Sequence, residues 1–213
     1  MGQDPTTFPV RRSGAPEAAD RRPGMLEALR RPPVAVALLV LFTFLVNISS
    51  QRLSYSIDEG TQWHLAQNPL SDLLTHHIQD HPFYGILVHL TMQVLPPWTP
   101  IHPVRVPSFV AGMLFPLAFY LTQRRYAGHE AALLVAMFLV MMDPVRFYMS
   151  IGRGYMLMML GVLVLNHLLL RTLRHGGWWR PALYIPVGVL SGYTHLWAYP
   201  VVGAHGLYLA LEV

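Results

Sequence analysis

The chain has 213 residues, 53% of them hydrophobic and only 12% charged, against roughly a quarter charged in ordinary soluble domains. It has a formal net charge of +4 and no cysteine, so disulfides and Cys-based metal or redox sites are excluded. Every basic residue apart from histidine is an arginine set beside an apolar run, which fits membrane orientation signals and argues against a nucleic-acid-binding face.

Residues 1–33 carry Arg11, Arg12, Arg21, Arg22, Arg30 and Arg31 among Pro, Gly and Ala, with too few large apolar residues for a core. This composition predicts a disordered, basic cytoplasmic tail. Residues 34–48 follow as an apolar run with no small-residue cleavage site after it, so it reads as a first span and not as a signal peptide. Four further runs, 106–121, 130–142, 155–170 and 182–199, each approach span length once their flanks are counted. A sixth run starts near Val201 and contains the last residue, Val213. The expectation is the N-terminal, truncated part of a longer protein, an all-α, polytopic transmembrane helical bundle over residues 34–213.

Arginine placement sets the orientation. With the N-terminus inside, the cytoplasmic segments are the tail, the turn holding Arg124 and Arg125, and the loop holding Arg171, Arg174 and Arg180. All are basic, as the positive-inside rule requires. The first outer loop, residues 49–105, is net acidic, with Asp58, Glu59, Asp72 and Asp80 against Arg52 and Arg105. Residues 82–95 are apolar but too short to span, and counting them as a span would turn the later arginine clusters outward. They are placed as an interfacial or re-entrant helix of that loop, with Tyr55, Trp63, Tyr84 and Trp98 at headgroup level.

Three clusters in this order carry chemistry. Asp58-Glu59 sits just past the first span, where a carboxylate can accept a proton from an attacking hydroxyl; the same pair also fits a helix start, with Asp58 near the N-cap and Glu59 in the first turn. Asp80-His81-Pro82, with His76 and His77 upstream, offers oxygen and imidazole ligands to a divalent ion, and equally reads as a helix start with Pro in its first turn. Arg146, Arg153 and Tyr155 lie on the side where positive charge is disfavoured. There a guanidinium can clamp a lipid phosphate or pair with Asp143 and the acidic loop. Among the remaining histidines on apolar stretches, His195, beside Tyr193 and Thr194, is the one placed to border a cavity. No Gly-rich phosphate loop, nucleophile elbow or zinc-protease helix motif occurs.

The order Asp58-Glu59, Asp80-His81-Pro82-Phe83-Tyr84, Arg105-Val106-Pro107-Ser108 and Ile151-Gly152-Arg153-Gly154-Tyr155 resembles that of the GT-C class of membrane glycosyltransferases. The similar branch is the bacterial one related to dolichyl-phosphate-mannose protein mannosyltransferases and lipid A aminoarabinose transferases, and the resemblance spans residues 34–199. It implies sugar transfer from a polyprenyl-phosphate donor to an acceptor (lipid, glycan or protein) at the outer face of a bacterial plasma membrane. Asp58, with Glu59 beside it, is the implied base, and Arg153 the implied phosphate partner; Tyr155 and Arg105, from the same segments, and Arg146, from its charge on that side, are the further candidate substrate contacts. A divalent ion at Asp80 and His81 is implied for some members. The chain departs from the family pattern at Phe83, where a second Pro is usual, and near Ser150 and Ile151, where a Gln is usual. The competing class is a non-enzymatic, transporter-like protein or an inactive fragment; transporters place ionisable groups near the midplane, whereas here they gather at one surface.

Overall fold

The computed structural model describes residues 31–51, 56–75, 81–95 and 100–212, and every regular element among them is helical. The tail expected over residues 1–33 lies almost wholly outside the described residues, as do Asp80, His76 and His77.

Helix α1 (Pro32–Ser50) opens with Pro33 in its first turn, where a missing N–H costs nothing. It is turned inside out relative to a soluble helix. Its buried stripe is Ala35, Leu39, Thr43, Asn47 and Ser50, while Leu38, Leu41, Phe44 and Leu45 are exposed. Polar groups inward and most of the large apolar side chains outward is an arrangement that lipid favours. Asn47 donates to the Phe109 carbonyl at 3.1 Å.

Two short helices, α2 (Ile57–Leu65) and α3 (Leu70–Thr75), lead to α4 (Pro82–Val94). At 13 residues α4 reaches only about 20 Å, short of the ~30 Å hydrocarbon core. Its Tyr84 and Val88 form a core with Ala66 and Val104. A 3-10 turn (Pro103–Arg105) then feeds the central helix α5 (Val106–Gln123), which packs against α1, α4, α6, α7 and α8. Gly112 admits Asn47 and Met149 to the α5 backbone: a Cβ there would stand 2.8 Å from Met149 Cγ and 3.1 Å from Asn47 Nδ2.

The run expected to cross at 130–142 is instead a 13-residue helix, α6 (His129–Met141), bent by 65° into α7 (Asp143–Ser150). Pro144 explains the break, since its ring cannot continue the preceding helix but fits the first turn of a new one. Helix α8 (Tyr155–His175) ends at Gly176 and Gly177, whose positive φ values of 58° and 92° reverse the chain into α9 (Trp179–Thr194). Gly161 lets α8 and α9 touch, as a Cβ there would overlap Ser191 Oγ and stand 3.1 Å from Ser191 Cβ.

The run expected as one span over 182–199 is also divided. Helix α9 stops at Thr194, His195 is extended (φ −161°), and α10 (Ala198–Glu212) starts three residues later. Pro200 is the cause: a helix running through it would lose a hydrogen bond and clash with the carbonyl four residues back, whereas in the first turn of α10 it costs little. Buried His205 ties α10 to its neighbours, pairing with Tyr184 Oη at 2.7 Å and Asn166 Oδ1 at 2.9 Å. Among the described residues three helices, Pro32–Ser50, Pro103–Gln123 and Tyr155–His175, are long and apolar enough to cross a membrane, or up to four if the bent pair is one span. That is fewer than the five complete spans expected, because prolines cut two of the apolar runs.

Candidate functional site

The N-termini of α2, α4 and α8, the 3-10 turn and the C-terminus of α9 meet at one end of the molecule. Ser56 is the N-cap of α2 and forms a reciprocal box with Glu59: Ser56 Oγ accepts from the Glu59 N–H, and Glu59 Oε2 accepts from the Ser56 N–H at 2.9 Å. The expected capping role of the acidic pair thus falls to Glu59, with Asp58 in the first turn.

Glu59 is fully buried and does more than cap. Arg105, itself 3% exposed, grips both of its oxygens, Nε to Oε1 at 2.6 Å and Nη2 to Oε2 at 2.9 Å. The Gly152 N–H donates to Oε1 at 2.7 Å, and Arg105 Nη1 donates to the Gln51 carbonyl at 2.8 Å. Burial pushes the Glu59 carboxyl up, but the Arg105 hydrogen bonds and the Ser56 and Gly152 N–H groups outweigh it and hold it below the usual range. Glu59 and Arg105, both expected as reactive or substrate-contacting groups, are therefore committed to each other as a tie between the end of α1, α2, the 3-10 turn and the α7–α8 loop. Gly152 is required here, because a Cβ would meet the Val104 carbonyl at 2.9 Å.

Asp58, one residue earlier, points elsewhere. Its side chain is half exposed and its Oδ2 lies 3.1 Å from Arg153 Nη1. Arg153 also donates to Tyr155 Oη at 3.4 Å and stands 5.6 Å from that ring's centre. The Arg153 backbone is pinned from below: its carbonyl accepts from Ser108 Oγ at 2.7 Å, and Ser108 is hydrogen-bonded to Tyr84 Oη at 2.9 Å.

Around Tyr155 stands a set of rings that the sequence does not group. Tyr148 and His195 each lie 4.7 Å from it and His81 5.6 Å, and His81 stacks on His195 at 4.7 Å with 26° between planes. His81 Nδ1 is 2.7 Å from the Thr194 carbonyl. Gly154 makes this closure feasible, since a Cβ there would meet the Thr194 carbonyl at 2.9 Å and His81 Cβ at 3.2 Å. Burial, reinforced by His195 and Arg153 and only partly offset by the Thr194 hydrogen bond and Asp58, pulls the His81 imidazole down to about 4. Burial and then Arg153 lower His195 as well, so both rings are neutral at pH 7.

Of the expected site residues, Asp58, Arg153, Tyr155 and His81 converge. Arg146 instead sits on α7 with its guanidinium 3.6 Å from Asp143, the pairing that sequence offered as its alternative role. Asp80 is outside the described residues, and among those described no group of three or more His, Asp or Glu is arranged to hold a metal. His195 and Tyr148 join the site only through tertiary contact, and the sequence signal for His195 was its position at the edge of an apolar run; Ser108, Gly152 and Gly154 lie in the segments quoted for the resemblance, without a role assigned there.

Two apolar grooves run from this end. One, of about 440 Å³, lies between α4, α5 and α8, and its lining includes Pro107 and Leu157, next to Ser108 and Tyr155. The other, of about 170 Å³, lies between α4, α8 and α9 and reaches Phe83 and Thr194. Comparison of the chain with protein-family models, with curated proteins and with solved structures finds no match in any of the three.

Proposed function

We propose that the chain is a polytopic membrane glycosyltransferase of the GT-C kind that takes a sugar from a polyprenyl-phosphate donor at the outer face of a bacterial plasma membrane. One observation carries this reading. The four segments that resemble the family are interlocked in one network: Tyr84 to Ser108, Ser108 to the Arg153 carbonyl, Arg153 to Asp58, and Arg105 to Glu59. That segments spread over almost a hundred residues meet at one end of the bundle supports reading them as parts of one site.

In this reading the donor phosphate binds Arg153, which releases Asp58 from its ion pair. Asp58 then takes the proton of the acceptor hydroxyl, whose oxygen attacks the anomeric carbon with inversion. The bond from that carbon to the phosphate oxygen breaks, and the electron pair leaves with the polyprenyl phosphate, whose charge Arg153 offsets. Glu59 and Arg105 position the loop that carries Arg153. The larger apolar groove next to Ser108 and Tyr155 suits an isoprenoid chain.

A second reading, a transporter-like or non-enzymatic protein, draws on the broken α6–α7 pair and on His205, an ionisable group within the apolar helices. His205 has hydrogen bonds at both ring nitrogens, which favours a structural role. The discriminating experiment is transfer of labelled sugar from polyprenyl-phosphate donors to membrane acceptors. Asp58→Asn is expected to lower the rate by about 10²–10⁴-fold, the usual worth of a general base, with insertion unchanged. Transfer by Asp58→Asn at the wild-type rate would remove Asp58 as the base, and absence of transfer with every donor would turn the assignment toward the second reading.

A further inference from the structure

The stacked imidazoles beside Arg153 have fixed and opposite hydrogen-bonding polarity. The Thr194 carbonyl can only accept, so His81 Nδ1 carries the proton and its Nε2 bears a lone pair. The Trp197 backbone N–H can only donate, so His195 Nδ1, 3.2 Å away, bears the lone pair and its Nε2 carries the proton. Two backbone groups thus select complementary tautomers in rings stacked at 4.7 Å. Neither Nε2 has a hydrogen-bond partner among the described residues, and neither is sealed from solvent.

We propose that His81 and His195 form a donor–acceptor pair that reads the hydroxyl groups of the transferred sugar, next to the anion-binding Arg153. The Nε2 lone pair of His81 repels a phosphate oxygen, which has no proton to offer, and accepts from a hydroxyl. The Nε2–H of His195 donates to a hydroxyl oxygen. A neutral polyol satisfies both at once; an ammonium group is disfavoured by the neighbouring guanidinium. The end of the molecule is thereby divided by chemistry, with Arg153 for the phosphate, the imidazole pair for the sugar edge, and the ring of Tyr155 in contact with both. The pair is formed across elements, by the N-cap of α4 and the residue that ends α9, so it exists only when α4 and α9 close over Gly154.

This rests on the glycosyltransfer reading above, and the test separates the two. The full chain in lipid nanodiscs is titrated with a polyprenyl phosphate and with the same lipid phosphate carrying a neutral hexose or pentose. His81→Asn keeps a donor for the Thr194 carbonyl, and His195→Asn keeps an acceptor for the Trp197 N–H; each deletes the Nε2 function together with the ring that packs on Tyr155, and the bare lipid phosphate reports whether the Arg153 site survives that loss. Each is expected to weaken the sugar-bearing lipid about three- to tenfold, the worth of one hydrogen bond, and to leave binding of the bare lipid phosphate unchanged. His195→Gln, which returns an amide donor near the Nε2 position, is expected to recover part of that loss, whereas Arg153→Gln weakens both lipids. Equal weakening of both lipids by the Asn variants, or no weakening of the sugar-bearing one, overturns the imidazole pair and leaves the phosphate site standing. Failure of the wild-type chain to bind either lipid overturns the glycosyltransfer reading and this inference with it.

Discussion

Successive residues on a helix point about 100° apart, and at Asp58 and Glu59 that rotation separates two environments. Glu59 turns into the protein, where every oxygen has a charged or N–H partner; removing Arg105 would strand a buried carboxylate, a change that typically costs about 3–5 kcal/mol. Asp58 turns to the open side, where its ion pair with Arg153 is half exposed and contributes little to stability, so it is free to exchange partners. His81 illustrates the opposite trade. Its imidazole is held neutral by burial, with a native value of about 4 against 6.5 for the free side chain. The native state therefore binds fewer protons than the unfolded chain between these values. Stability is complete above pH 6.5 and is lost as pH falls toward 4, by at most about 3 kcal/mol. The melting temperature is expected to drop across this window, and more steeply in the wild type than in His81→Asn; parallel curves would show that the imidazole does not titrate between native and unfolded states.

At the scale of elements, apolar runs did not translate one-to-one into spans, because prolines and glycines decide where a helix ends and how near its neighbour lies. Pro144 and Pro200 cut two runs that hydropathy alone leaves whole, and the second cut puts His195 at the site instead of inside a helix. Small residues do the complementary work of letting helices touch, since between helices in lipid close packing replaces the hydrophobic drive. Gly161 is the sharpest case. Gly161→Ala places a methyl group against Ser191, and forcing α8 and α9 apart is expected to cost about 1–3 kcal/mol. Ser191→Gly in the same chain should restore the melting temperature, because it removes the atom in conflict. An undiminished melting temperature in Gly161→Ala alone would mean that Ser191 turns its hydroxyl aside and the helices stay where they are.

For the whole molecule the central quantity is the length of α8. At 21 residues it spans about 30 Å, the thickness of a hydrocarbon core, between the site at Tyr155 and the glycine turn after His175. Ile57 and Trp178, 90% and 83% exposed, mark these two ends. Because the chain has no cysteine, single Ile57→Cys and Trp178→Cys variants report on one position each. An impermeant maleimide added to intact cells is expected to label Ile57→Cys and not Trp178→Cys, with the reverse in inverted vesicles. Labelling of both from the same side would sink the spanning arrangement and with it the outward-facing site.

The sequence by itself determined the helical class, the membrane-compatible composition and the separate polar segments, spread over almost a hundred residues, in which Asp58, His81, Arg153 and Tyr155 lie, because these follow from residue counts, apolar runs and arginine placement. It could not divide Asp58 from Glu59, since adjacent carboxylates differ only in what surrounds them. Nor could it pair Arg105 with Glu59 or bring His195 and Tyr148 to Tyr155. Those assignments depend on Gly152 and Gly154 allowing separate backbones to approach, and on Ser108, Thr194 and Trp197 fixing side chains from distant or neighbouring elements. Contacts between residues far apart in the chain are set by the shape of the closed structure, and no local pattern encodes them.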